Sequence, residues 1–228
     1  MQNKDRRLSQ HTRGDGGTLA LQAVVFDYGM VLTSDPDREA YEALQRISGL
    51  SAERLDKFYW ADRHAYDEGK LTGLEFWHKI VRDAGLSLSD ETVAELDDWD
   101  ARMWTTENPA MVAWQGRLKE HGLKTAILSN MGDSVHVSIE KAYDWIQRFD
   151  VRVWSYELKV AKPDPAIYKH VLDKLQVRPE EALFLDDKPV NIEAARALGM
   201  KGIVFSDVKQ LRADLIAAGL DKELPLPE

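Results

Sequence analysis

Cysteine is absent from all 228 residues, which excludes structural disulfides, a thiol nucleophile and thiolate metal sites. Its absence also gives mild support to a reducing compartment. Uninterrupted apolar runs are short: none approaches the length needed to cross a bilayer, so no membrane partner is expected. Positive charge is outweighed, with a formal net charge of -9. A general nucleic-acid binder is therefore not expected, because nonspecific affinity rests on cationic contacts to phosphate, although a local cationic pocket is compatible with this balance. Repeats and low-complexity arrays are also missing. What remains is ordinary globular composition, 44% hydrophobic and 30% charged, in a chain long enough to bury a sizeable core.

The texture changes along the chain. Residues 1–19 are polar and carry Arg6-Arg7 and Gly14-Asp15-Gly16-Gly17, a pattern read as a flexible leader without the apolar stretch of a secretory signal. The expected location is the cytoplasm. A strand is predicted at about 22–27. From about Asp37 to Trp104 apolar residues recur at helical spacing (Tyr41, Leu44 and Ile47; Phe76, Trp77 and Ile80), with breaks at Gly69–Gly73 and Gly85–Ser89 and with Thr72 and Ser89 placed to cap helices. After Asn108-Pro109 helix and strand alternate, with strands near 124–129, 151–155, 182–186 and 202–205. The fold class read from this is α/β: a three-layer, Rossmann-like core with a mostly parallel sheet, plus a helical bundle inserted after the first strand. The expected boundaries are 20–35 and 106–228 for the core and 36–105 for the insert.

Four apolar runs lead into polar clusters: Val24-Val25-Phe26-Asp27-Tyr28-Gly29, Ile127-Leu128-Ser129-Asn130, Lys162-Pro163-Asp164-Pro165 and Phe184-Leu185-Asp186-Asp187. Buried parallel strands whose carboxyl ends open onto one crevice read this way. Brought together, these groups supply a phosphoryl-transfer site. Asp27 can attack phosphorus and form an acyl phosphate, while Asp186 and Asp187 can hold a hard divalent cation. The Ser129 hydroxyl can donate to a phosphoryl oxygen, and the Lys162 ammonium offsets the repulsion between two anions. Taken singly each cluster has a plainer reading, since an Asp after a strand is commonly a cap or turn residue and Lys-Pro a surface dipeptide.

In joint order these residues resemble the four motifs of the haloacid dehalogenase-like (HAD) hydrolase superfamily, over roughly residues 22–206. The stretches from Lys162 to Tyr168 and from Phe184 to Ile192 look most like the branch of glucose-1-phosphatase-like enzymes and epoxide hydrolase phosphatase domains. The resemblance implies a helical cap over the site and a metal held by Asp27, the Gly29 carbonyl and Asp186. Asp187 would reach it through water and Asn191 would support that shell. Magnesium is the expected cofactor, because only hard oxygen ligands are on offer. Amides of the turn beginning at Tyr28, together with Asn130, would bind the phosphate, and Gly29 would permit the turn's sharp geometry. Within the insert, Arg63 and His64, beside Tyr59 and Trp60, are the polar candidates for substrate contact. Most of the insert's aromatics are expected to pack its own core.

One position departs from the family. Most of its phosphatases carry a second Asp two residues after the nucleophile, as acid and then base, and Gly29 stands there instead. A glycine can offer a carbonyl but cannot transfer a proton, so that function must be absent or come from elsewhere. The expected activity is magnesium-dependent hydrolysis of a small phosphorylated metabolite, sugar phosphates foremost, through a phospho-aspartyl intermediate on Asp27. The alternative is a phosphate-binding or interaction module with a degenerate site. Dehalogenation is disfavoured by the Asp186-Asp187 pair. The sequence does not select an oligomeric state.

Overall fold

The computed structural model describes residues 20–228; the leader expected at 1–19 lies outside the described residues. Strand β1 (Ala23–Phe26) is followed by a wide turn over Tyr28–Leu32 and then by four helices: α1 (Arg38–Ser48), α2 (Ala52–Asp67), α3 (Gly73–Asp83) and α4 (Asp90–Met103). The chain then alternates through α5 (Pro109–Glu120), β2 (Lys124–Ser129), α6 (Asp133–Ala142), β3 (Val151–Trp154), the short α7 (Ser155–Leu158), α8 (Pro165–Leu175), β4 (Ala182–Asp186), α9 (Pro189–Ala197), β5 (Lys201–Val204) and α10 (Val208–Ala217).

The five strands form one parallel sheet in the order β3-β2-β1-β4-β5. Their near-continuous apolar sequences follow from burial on both faces, because successive side chains point to opposite sides. Val24, Phe26, Ile127, Leu183 and Leu185 pack on one face with α5, α6 and α10 residues such as Trp114, Ile139 and Leu215. Val25, Ala126, Leu128 and Phe184 pack on the other with α8 and α9 residues such as Ile167, Val171 and Ile192. Each fully buried Val, Leu or Phe contributes about 1.5–3 kcal/mol. The result is three layers, helix, sheet, helix. Because β1 is central, the chain moves first to one side of it through β2 and β3 and then to the other through β4 and β5. That reversal splays the connections apart above the carboxyl ends of β1, β2 and β4 and leaves a crevice there.

Helices α1–α4 bury a separate core containing Leu44, Leu55, Phe76, Trp77, Val93 and Leu96. Thr72 and Glu75 make a reciprocal capping box at the start of α3, and Ser89 caps α4, so both breaks fall where the sequence places them. The four-helix unit is tied to the sheet layers by hydrogen bonds. Gly73 N donates to Asp133 Oδ1 at 2.9 Å, Ser134 Oγ to Asp97 Oδ2 at 2.7 Å, and Ser155 Oγ to the Asp67 carbonyl at 2.5 Å. Gly132 must be small, since the Tyr66 ring occupies the place a β-carbon would take.

The turn after β1 differs from the sequence reading. Gly29 sits at φ -62°, ψ 137°, a backbone any residue adopts, and the left-handed position is Met30 at φ 60°. Thr33 holds that turn, its Oγ1 accepting from Met30 N at 3.1 Å and donating to the Tyr28 carbonyl at 3.3 Å.

Candidate active site

Asp27 is the first residue beyond β1, Ser129 ends β2, Asp186 ends β4, and Lys162 lies in the loop before α8. Parallel register brings the three strand ends level: Phe26 pairs with Ile127 on one side and Leu185 on the other. Lys162 Nζ reaches between two carboxylates, 2.9 Å from Asp27 Oδ1 and 2.7 Å from Asp186 Oδ2. Asn130 fixes the lysine's backbone, donating through Nδ2 to the Lys162 carbonyl at 2.9 Å and accepting from Lys162 N through Oδ1 at 2.8 Å. Asp186 is completely buried and receives further hydrogen bonds from Lys188 N at 2.8 Å and from Asn191 Nδ2 at 2.9 and 3.0 Å.

This distribution of donors is unequal. Burial raises Asp186, but Lys162, the Lys188 amide and Asn191 outweigh it and hold that carboxyl below its usual range. Burial pushes Asp27 up to about 7 against the pull of Lys162, with Asp186 and Asp187 adding to the rise. Burial and Asp186 likewise raise Asp187. On Lys162, burial opposes the charge, yet Asp27 and Asp186 hold it firmly protonated. Three carboxylates thus face one ammonium, and the charge excess is negative. Oxygen atoms of Asp27, Asp186 and Asp187 lie within 4.8 Å of one another, a spacing a single cation can serve. The donor set is all hard oxygen, which fits magnesium and not a thiophilic metal.

A cavity of about 190 Å³ opens above this cluster. Its floor is formed by Asp27, Tyr28, Gly29, Ser129, Asn130, Lys162, Asp187 and Asn191, and its opposite wall by Pro36, Trp60, Arg63, Asp67 and Trp104. Trp60, Arg63 and Asp67 are spaced three and four residues apart on α2 and so share one helix face. His64 lies a residue further around. Its side chain is 68% exposed, its Nε2 is 3.3 Å from Glu68 Oε1, and it is not among the cavity's lining residues. The structure therefore gathers Asp27, Tyr28, Gly29, Ser129, Asn130, Lys162, Asp186 and Asp187 and leaves His64 outside.

Arg63, the neighbouring candidate, is buried and strongly held. Its Nε donates to Asp67 Oδ1 at 2.8 Å, Nη1 contacts the Tyr59 hydroxyl and lies 3.7 Å from Asp100 Oδ1, and the guanidinium stands 5.2 Å from the Trp104 ring centre. Asp67, Lys188, Met30 and Met131 also line the cavity and were not singled out in the sequence. For Asp67 a signal existed: its position four residues after Arg63 and seven after Trp60.

A parallel α/β sheet with an acidic, lysine-bridged cluster at its carboxyl edge is the arrangement of a class of α/β proteins whose site can bind a cation and an anionic group together. The sequence matches the haloacid dehalogenase-like hydrolase family over residues 21–199, and the chain belongs to that family. It is 28% identical to phosphatase MT3486 of Mycobacterium tuberculosis, a match covering 87% of this chain and 93% of that one. It is 32% identical to rat bifunctional epoxide hydrolase 2 over 53% of this chain but only 23% of that larger protein. Among solved structures, a HAD family enzyme of Bacteroides thetaiotaomicron in its magnesium complex superposes with a TM-score of 0.67. That pair is 25% identical, over 82% of this chain and 94% of the other.

Proposed function

We propose that this hydrolase is a magnesium-dependent phosphatase of small phosphorylated metabolites, with Asp27 as the nucleophile and a phospho-aspartyl intermediate. The observation that carries the reading is the Asp27–Lys162–Asp186 bridge beneath an open cavity, where three carboxylates face a single ammonium. Phosphatase MT3486 supports the same reaction class, and the magnesium complex of the Bacteroides enzyme supports the same metal. Asp27, Asp186 and Asp187, with the Gly29 carbonyl, would hold Mg²⁺, which supplies charge neutralisation for the phosphoryl oxygens when bound.

The remaining roles follow from position. Lys162 orients the Asp27 carboxylate and draws the phosphate dianion toward it. Ser129 and Asn130, at the end of β2, together with the amides after Asp27, bind phosphoryl oxygens. Residues 20–35 and 106–228 serve as the catalytic core and 36–105 as a cap that contributes the far wall. Trp60, 57% exposed, beside the charged Arg63 and Asp67, suits a substrate with an apolar ring face and hydroxyl edges, which favours sugar phosphates. The cytoplasm is the proposed location.

Gly29 favours a second reading, a site that binds phosphate without turning it over. The two separate cleanly. Purified protein is assayed for phosphate release from 4-nitrophenyl phosphate and a panel of phosphorylated sugars, with magnesium and with chelator. Metal-dependent release that disappears in Asp27→Asn, at an unchanged melting temperature, supports the phosphatase. Phosphate binding with no release by the parent chain would establish the binding module.

A further inference from the structure

We propose that Asp67, at the carboxyl end of α2, is the catalytic proton carrier of this site, taking the place of the acid that Gly29 lacks. This rests on the phosphatase reading above. At Gly29 the backbone is ordinary, and a β-carbon there would meet nothing within 4 Å. The turn therefore does not require glycine, and a proton-transfer group for this site is to be sought elsewhere around the cavity.

The protic groups around the cavity are mostly committed. Asp27 and Lys162 are bonded to each other, Asp187 belongs to the acidic cluster, and the Tyr28 hydroxyl donates to the Trp104 carbonyl at 3.0 Å. On the opposite wall stands one carboxylate, Asp67. Its side chain is 15% exposed, and its Oδ1 accepts from Arg63 Nε at 2.8 Å. Among the described residues its Oδ2 has no partner, so one oxygen is anchored and the other is free to exchange a proton. The backbone is fixed as well, since Ser155, the residue after β3, donates to the Asp67 carbonyl at 2.5 Å. The carboxylate is thereby registered to the same sheet edge that carries Asp27, across the width of the cavity. Arg63 is a positioning residue, itself pinned by Tyr59, Asp100 and the Trp104 ring.

The steps balance. In the first, Asp67 enters with a proton from solvent on Oδ2, and an Asp27 oxygen bonds to phosphorus while the bond from phosphorus to the leaving oxygen breaks. The leaving oxygen keeps the electron pair and takes the proton from Asp67 Oδ2, and the carboxylate left behind is stabilised by Arg63. In the second, a water oxygen bonds to phosphorus, the phosphorus–Asp27 bond breaks with its electrons returning to the carboxylate, and the water's proton passes to Asp67. The carrier is then ready for the next turnover, and the sum is ester plus water giving alcohol plus phosphate.

Phenyl phosphate, whose leaving group needs protonation, and 4-nitrophenyl phosphate, whose leaving group needs little, provide the test. Asp67→Asn keeps an acceptor for Arg63 but carries no exchangeable acid. Its kcat/KM should fall by ~10²–10⁴-fold on phenyl phosphate and by at least about tenfold less on the nitrophenyl ester. Slowed hydrolysis of phospho-Asp27 should appear as a burst of 4-nitrophenol. Gly29→Asp in the Asp67→Asn background should recover much of the loss, and Asp67→Ser, which likewise has no carboxylic acid, serves in place of Asn if the latter fails to fold. Parental kcat/KM on both esters, equal losses on both without a burst, or a change confined to KM would each overturn the assignment to Asp67 while leaving the phosphatase reading intact. A parent chain inactive on both esters would sink that reading, and this inference with it.

Discussion

The two sides of the cavity are built by opposite strategies. On the floor, Asp27, Lys162 and Asp186 come from distant parts of the chain, and each charge finds its partner only through the parallel sheet. On the wall, Trp60, Arg63 and Asp67 belong to one helix face, and the ion pair closes within a single turn, at spacing i, i+4. The floor holds more carboxylate than cation and so invites a divalent ion. The wall is nearly self-compensated and sits on its own hydrophobic core. A fixed charge imbalance suits the reacting group, whereas a locally balanced surface leaves room for variation in what is bound.

If the helical unit stands on its own core, Trp77→Ala should strike it hardest. Trp77 is fully buried against Tyr59 and Phe76, and its removal should cost about 3–5 kcal/mol. Hydrogen exchange should speed up in α1–α4 far more than in β1, β2 and β4; uniform acceleration would show that the two regions unfold as one. On the floor, Lys162→Met should lower kcat by ~10²–10³-fold, the loss expected for one preorganised charged donor. Steady-state rates at saturating magnesium check this, and a value near that of the parent would remove Lys162 from the reacting centre.

A smaller effect concerns pH. Asp100 is buried under the wall, where Tyr59 Oη donates to its Oδ1 at 2.7 Å and Trp77 Nε1 to its Oδ2 at 3.3 Å. Burial raises it from the ordinary 3.8 to about 6, against the opposing pull of Arg63. The folded state therefore binds more protons than the unfolded state between these values. The contribution of Asp100 to stability is full below pH 3.8 and is lost as pH rises through about 6. Urea titrations across that window should show the parent losing stability relative to Asp100→Asn with rising pH, and parallel curves would refute it. The smallest change expected is at Gly29→Ala, which should raise stability by about 0.4–1 kcal/mol, because the site is open and the backbone ordinary. A loss measured by the same titrations would mean that the turn tolerates no side chain.

Legibility differed between the two sides. Asp27, Ser129 and Asp186 each close or follow a short apolar run, and a run buried on both faces has to end at an edge of the sheet, so these three could be read from local pattern. The wall was harder. Helical periodicity located α2, but eight aromatic and charged residues crowd the stretch from Phe58 to Asp67, and periodicity alone does not say which stripe faces a cavity and which a neighbouring helix. One residue's rotation separates Arg63 inside from His64 outside. Met30 was illegible for another reason, since a left-handed φ at a non-glycine position is imposed by Thr33 and the sheet below it.

By itself the sequence determined the α/β alternation, the strands that end in acid or hydroxyl, and the missing proton donor at Gly29, because these depend on local pattern and residue chemistry. Only the tertiary structure decided that Lys162 bridges Asp27 and Asp186, that Asp67 rather than His64 lines the cavity, and that the acidic cluster is short of positive charge. Those are relations between residues far apart in the chain or on opposite faces of one helix, and they are fixed by packing, which no local pattern encodes.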